Sequence, residues 1–313
     1  MDFDFTTHLS KLLSIPPSQI TIRSLTGGEI NITVRASFTP PVDLTQFGHP
    51  QSVSSVVLKY TPPYLVSDPS IPVNTFRQDI EARSLLLLDP RNKSALPVSS
   101  LFAKHPNIKI PRFIHHDYEK RVLIMTDLGS VVKIDDWLTQ EPAPNSEDVE
   151  RIAKDLGRFL AEFFITTSEP NIELLPLLPN SVLVDAFNLY VVNALKAVLP
   201  SYGVSDAEIL IKRVADMARD SRETDLCLGM VDLWCNNIVI DSDKNVCLVD
   251  WEYFGLSNAS CEMSLLGESF FPGSISMKPC FSDILYDNSA IIALELTEII
   301  SYGHCEEVHY LVY

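Results

Sequence analysis

The sequence predicts an α+β protein of two lobes, a β-rich first lobe and a mainly α-helical second lobe. Three observations carry the prediction: two alternating apolar runs joined by a glycine turn near the start, further short β-type runs that end near 127, and long amphipathic periodicities after Gly129. Ile20 to Leu25 and Ile30 to Phe38 flank Thr26-Gly27-Gly28-Glu29 and read as a hairpin. Ser54 to Tyr60 reads as a third strand that runs through Val56-Val57-Leu58-Lys59, and a connection rich in proline (Pro62, Pro63, Pro69, Pro72) follows it. Residues 75–88 read as a helix. Two more strands are expected at 107–114 and 121–127, with His115-His116-Asp117 an exposed turn after the first of them. The lobe boundary falls within 127–135, which gives 1–129 to the first lobe and 130–313 to the second.

In the second lobe Asn145 or Ser146 caps a helix running to about Phe164, after the linker Glu141-Pro142-Ala143-Pro144. A second helix is expected over 182–198, and a third starts at the capping box Ser205-Asp206-Ala207-Glu208 and runs to about Arg219. Residues 226–254 return to short apolar runs around polar residues, so chemistry placed there sits on loops. Phe159, Phe163 and Phe164, and the Leu85 to Leu88 run, lie at buried-helix spacing and read as core. Trp234 and Trp251 read equally as walls of a site or as core.

Composition narrows the function. Of 313 residues, 24 are Lys or Arg and 41 are Asp or Glu, a formal net charge of −17. Such a balance repels phosphate backbones and anionic membranes and suits small neutral or cationic partners, so neither nucleic acid nor membrane is expected as a partner. No run approaches a membrane span and no leader pattern opens the chain, which reads as cytoplasmic. The six cysteines all lie beyond 226, none in a C-x-x-C pair, and are expected as free thiols. Histidine is absent from 117–303, so an imidazole-dependent nucleophile or zinc site would have to draw on the two ends of the chain. The window His304-Cys305-Glu306-Glu307 with His309 offers metal-ligand types but no second ligand pair, and reads as solvated tail.

The most specific motif is Asp232-Leu233-Trp234-Cys235-Asn236-Asn237, followed thirteen residues after Asn237 by Asp250-Trp251-Glu252. Phosphoryl transfer needs a carboxylate at the acceptor hydroxyl and oxygen ligands for a Mg²⁺ that bridges nucleotide phosphates. Asp232 supplies the first. Asn237 and Asp250, with Glu252 as an additional candidate, supply the second. Alone, an Asp and an Asn at this spacing are common turn residues. Upstream, Lys59 ends a strand as a phosphate-binding lysine does, and Glu81 on the following helix is placed to pair with it. Thr26-Gly27-Gly28, with Asn31, connects the first two strands where backbone amides can approach phosphates. Each of these has a plain reading as a turn or a solvated charge. Their succession along the chain is what a bilobal kinase requires.

The blocks Leu25-Thr26-Gly27-Gly28, Val57-Leu58-Lys59, Ile124-Met125-Thr126-Asp127-Leu128-Gly129, Asp232-Leu233-Trp234 with Asn237, and Val249-Asp250-Trp251-Glu252 resemble the aminoglycoside phosphotransferase and choline kinase-like family, across about 20–270. Within it the chain is most similar to fungal, methylthioribose-kinase-like members of secondary metabolism with Met-x-Asp-Leu-Trp and Asp-Trp-Glu. The resemblance implies a protein-kinase-like fold and an ATP- and Mg²⁺-dependent kinase for a hydroxyl of a small, amine-containing, cationic metabolite, a 4-hydroxytryptamine-like acceptor among them. It implies Asp232 as base and Thr126, Asp127 and Leu128 as the hinge that meets adenine through its backbone. Oligomeric state, ATP against GTP and the acceptor's identity are left open. Three departures stand out. Met230 replaces the family's usual His. Glu262 stands where the family has an Asp that anchors the catalytic loop, so its extra methylene is expected to displace that contact. Only 63 residues follow Asp250 and no family pattern continues past Glu268, so the acceptor-pocket helices are expected to be shortened. That last departure carries the alternative of a nucleotide-binding pseudokinase. No Ala-Pro-Glu segment follows Glu252, against a kinase of protein substrates.

Overall fold

The computed structural model describes residues 3–25, 30–49, 52–66, 68–92, 97–168, 192–201, 206–220 and 226–270. The expected helix start at 182, the Ser205 cap, the Thr26–Gly28 turn and everything after 270 lie outside these residues. Two compact units result: Met1–Asp89 with Ile110–Gly129, and Pro90–Lys109 with the described residues from Ser130 on.

In the first unit β1 (Ile20–Ser24), β2 (Ile32–Asp43) and β3 (Ser52–Tyr60) form an antiparallel run. The two-residue β4 (Ile108–Lys109) belongs to the other unit. Beyond it β5 (Phe113–Asp117) and β6 (Val122–Thr126) complete a five-stranded sheet ordered β1-β2-β3-β6-β5. Alternation puts Val34, Ala36, Val56, Leu58, Val122 and Ile124 on one buried face. Helix α1 (Phe5–Leu13) covers that core with Phe5 and Leu9, and its start is fixed by Asp4, whose carboxylate accepts the Thr7 amide at 2.9 Å. The β2–β3 register shifts between Ser37 and Val42, where Pro40 and Pro41 have no N–H to donate. Helix α2 (Phe76–Leu88) lies in this unit and buries Arg77, Gln78, Glu81 and Ser84 beside Ile80 and Leu85.

The strand expected over 107–114 is two strands in different sheets. Pro111 interrupts it, and Ile108–Lys109 pairs in parallel with a strand of the second unit while Phe113–Asp117 pairs with β6. His115-His116-Asp117 is likewise strand and not an exposed turn; His116 is buried, and the turn lies just beyond, where the Asp117 carboxylate accepts the Lys120 amide at 3.0 Å.

In the second unit α3 (Pro97–Lys104) sets Phe102 against Phe159 of α5 (Ser146–Thr167), ring centroids 5.1 Å apart. Between them in sequence, β7 (Val131–Lys133) leads into α4 (Ile134–Thr139). Helix α5 buries Ile152, Leu156, Phe159, Phe163 and Phe164, the expected apolar stripe. Helices Asn193–Ser201 and Ala207–Asp220 follow. Strand β8 (Leu226–Gly229) precedes β9 (Ile238–Asp241), β10 (Val246–Leu248) and β11 (Gly255–Asn258). One small sheet is ordered β4-β10-β9-β7, another pairs β11 with β8, and the helix Ala259–Phe270 closes the described chain. Among the described residues no helix is long and apolar enough to cross a membrane.

Asn145 caps α5 by accepting the Asp148 amide at 2.8 Å. Asn145→Ala should therefore cost about 1 kcal/mol in urea unfolding; an unchanged midpoint would contradict the cap.

Candidate active site

Two groups of candidate residues form, one in each unit. In the first, β3 carries Lys59 between Thr33 of β2 and Leu123 of β6, and its ammonium lies 2.7 Å from Glu81 Oε2 on α2. Both side chains are nearly fully buried. A buried ammonium is tolerable only when paired, and removing one partner of such a pair typically costs about 3–5 kcal/mol. Asn31 turns inward, where its Oδ1 accepts the Thr61 hydroxyl at 2.9 Å. Beyond β6 the Asp127 carboxylate is spent within the chain: Arg35 of β2 meets it with Nε at 2.8 Å and Nη2 at 2.9 Å, and the Gly129 amide donates to it at 2.9 Å. Arg35 also donates to the Gly129 carbonyl, and Gly129 adopts φ 81°, which suits glycine. Thr126 pairs with Arg112 through both its amide and its hydroxyl, and Leu128 is half-buried. The segment Thr126–Leu128 is thus held by the Arg112 backbone before it and the Arg35 side chain after it.

In the second unit the loop after β8 presents Asp232. Asn237 donates through Nδ2 to both the Asp232 carbonyl, at 2.8 Å, and its Oδ2, at 2.9 Å. A single helical turn, Cys235–Asn237, gives Asn237 its orientation, and the Val249 amide donates to the Asn237 carbonyl at 2.9 Å, tying this loop to the segment that carries Asp250. The Asp232 pKa is raised to about 6, chiefly by burial and then by the negative charges of Asp250 and Glu252, against the hydrogen bonds from Asn237 and Trp234. Trp251 is core, its indole donating to the Leu248 carbonyl at 3.0 Å, whereas Trp234 is 39% exposed.

Two residues of this site are held in left-handed backbone, Val231 at φ 65° and Asp250 at φ 67°. For a β-branched residue this costs on the order of 1–3 kcal/mol unless the surroundings enforce it. Glu262 enforces it at Val231. The expected displacement by the longer side chain does not occur: Glu262 Oε1 accepts the Val231 amide at 2.9 Å and the Ser257 hydroxyl at 2.5 Å. Room for the extra methylene comes from Gly229, where a Cβ would lie 2.4 Å from that same oxygen. The Glu262 pKa is raised to about 7, chiefly by burial with the Asp232 charge adding, while the Ser257 hydroxyl and the Val231 and Met230 amides restrain the rise.

Asn237 uses its Nδ2 on Asp232, and the carboxylates of Asp250 and Glu252 lie close enough for their charge to act on the same residue. Amide and carboxylate oxygens are hard donors of the kind Mg²⁺ takes, and the repulsion that adds to burial in lifting Asp232 is the kind a divalent cation relieves. The donor set therefore fits the metal. The thiols play no part in it: among the described cysteines all four are free, and burial pushes Cys227 and Cys247 up to about 12, leaving both unreactive. Arg35, Gly229 and Ser257 escaped the sequence reading because each acts on a residue far along the chain, with no local pattern to mark it.

This arrangement is that of a phosphotransferase with an α+β, protein-kinase-like fold. The profile of the Phosphotransferase enzyme family matches residues 44–277, and the chain belongs to that family. It is similar to the 4-hydroxytryptamine kinases of Psilocybe cyanescens (27% identical over 297 residues, covering 86% of this chain and 74% of that one) and Psilocybe cubensis (24% over 279 residues, 84% and 71%). Its fold is similar to that of the gentamicin–APH(2")-IIa complex (TM-score 0.52, 15% identity, 96% and 86% covered). The same holds for amicoumacin kinase hAmiN in complex with AMP-PNP, Ca²⁺ and Ami (0.52, 14%, 96% and 85%) and a choline kinase from Cryptosporidium parvum (0.51, 10%, 94% and 78%).

The folded chain keeps the Glu262 proton to about pH 7, whereas an unfolded carboxyl releases it near 4.5. The stabilisation from this group is therefore complete below 4.5 and is lost as pH rises through 7. In urea unfolding across that range, wild type minus Glu262→Gln should fall by on the order of 3 kcal/mol; a flat difference would contradict the assignment.

Proposed function

We propose that the chain is a Mg²⁺-dependent kinase that transfers the γ-phosphoryl group of ATP to a hydroxyl of a small, cationic, amine-containing metabolite, with a 4-hydroxytryptamine-like molecule as the first acceptor to test. The observation that carries the reading is Asp232 held by the Asn237 amide on a loop whose strain Glu262 sustains. The first unit is the nucleotide-binding part in this reading, with Lys59, positioned by Glu81, meeting the phosphates and the braced backbone of Thr126–Leu128 meeting adenine. The Thr26-Gly27-Gly28 turn and Asn31 belong to the same function. The second unit carries the catalytic and acceptor-binding chemistry. Names of relatives support the acceptor class, an ATP analogue bound by a protein of the same fold supports the donor, and the net charge of −17 favours a cation.

Asp232 acts as the base. Asn237 orients the carboxylate through Oδ2, and a pKa near 6 keeps it ionised at neutral pH yet basic enough to take the acceptor hydroxyl's proton as the bond forms. The acceptor oxygen bonds to the γ-phosphorus, the bond from that phosphorus to the β,γ-bridging oxygen breaks, the hydroxyl proton passes to Asp232, and ADP leaves. Asn237, Asp250 and Glu252 would hold Mg²⁺, which when bound neutralises charge on the phosphates. Lys59 supplies a fixed positive charge from the protein itself.

ADP release with Mg²⁺-ATP across hydroxytryptamines, choline, methylthioribose and aminoglycosides tests the proposal. Turnover should appear with a hydroxylated amine and fall by about a thousandfold in Asp232→Asn, with ATP binding retained. ATP binding with no turnover on any acceptor would contradict transfer and favour the pseudokinase.

A further inference from the structure

The first unit holds a buried polar cluster that the proposed mechanism does not use. Gln78 sits three residues before Glu81 on α2 and is 2% exposed. Its Nε2 donates to the backbone carbonyl of Lys59 at 2.8 Å and to Thr61 Oγ1 at 2.9 Å, and its Oε1 lies 3.0 Å from His116 Nε2. The fully buried Thr61 hydroxyl in turn donates to Asn31 Oδ1 at 2.9 Å. The directions follow from chemistry. A peptide carbonyl can only accept, so the NH₂ end must face Lys59, which turns Oε1 toward His116 and requires the proton on His116 Nε2. Burial keeps that ring neutral by pulling its pKa down to about 4, so this tautomer persists across the ordinary pH range.

Side chains three apart on a helix lie on one face. One face of α2 therefore grips the same lysine twice, the ammonium through Glu81 and the backbone through Gln78. An ion pair alone fixes the end of a flexible four-carbon chain but leaves its base to the strand. Attaching the base to the same helix fixes the vector along which the ammonium points. The Thr61–Asn31 step extends the chain of bonds to the residue just after the 26–29 turn.

We propose that Gln78 is the positioning residue for Lys59, setting where its ammonium meets the nucleotide phosphates and coupling that position through Thr61 to Asn31. The inference rests on the kinase reading above. Gln78→Met keeps the bulk and removes all three hydrogen bonds. The KM for ATP should rise about tenfold, the loss expected when several buried bonds to a positioned group are removed, while the acceptor KM stays within about twofold. The nucleotide-dependent rise in Tm should shrink with it. A variant with lowered Tm but unchanged ATP KM would overturn the assignment, since a purely structural residue moves only the first. Should Gln78→Met not fold, Thr61→Val and Thr61→Ser decide: the first loses the hydroxyl and should raise the ATP KM, the second keeps it and should restore the wild-type value. Equal values in both would overturn the proposal. Wild-type protein with no Tm response to Mg²⁺-ATP would instead refute the kinase reading, and this assignment with it.

Discussion

The second unit depends on one buried carboxylate. Val231 occupies backbone space that a β-branched residue avoids, and its amide, turned into the protein, would be costly to leave without an acceptor. Glu262 meets that amide, and the penalty of the strained turn is offset by a hydrogen bond to a buried side chain. Two further residues and a helix are fitted to this one contact. Gly229 leaves room because a Cβ there would collide with the Glu262 side chain, Ser257 gives the same oxygen a second donor, and the helix Ala259–Phe270, which follows β11 directly, carries Glu262. Asp232 follows Val231 directly, so the direction of its carboxylate is inherited from the turn.

The first unit solves a different problem, that of keeping a positive charge inside a sheet. Lys59 is nearly fully buried on a strand with neighbours on both sides, and α2 answers with a polar face. Arg35 does the corresponding work past β6: by consuming the Asp127 carboxylate and the Gly129 carbonyl it stiffens the connection after the sheet. In both units the groups assigned to chemistry are also braced by side chains that touch no reacting group, Gln78 and Arg35 in the first and Glu262 and Ser257 in the second. Preorganisation of this kind lets charged groups act without reorganising at the moment of reaction.

Much of this was legible in the sequence. The hairpin, the lysine strand, the capped α5 and the loop and short-strand character of 226–254 were readable because each has a local signature in period, cap or turn. The α1 helix was passed over although Asp4 and the spacing of Phe5 and Leu9 mark it. The single strand expected over 107–114 failed because periodicity does not register that Pro111 sends its two ends to different sheets. Helix α2 was found, but its importance was hidden: an apolar stripe announces a core face, and here the buried face is Arg77, Gln78, Glu81 and Ser84. The consequence of Glu for Asp at 262 was misjudged for a related reason. One methylene is a clash or a fit depending on a glycine thirty-three residues earlier, and only the folded chain brings the two together.

Turnover of Glu262→Leu beside Glu262→Gln tests most directly whether the loop geometry rests on that one acceptor. The amide oxygen of Gln can take the Val231 and Ser257 hydrogen bonds, so its rate on a hydroxylated amine should stay within a few-fold of wild type. Leu cannot, and its rate should fall by about a hundredfold with the KM for ATP unchanged, as expected when a base is misplaced by a fraction of a bond length. A folded Leu variant that turns over at the wild-type rate would contradict the account.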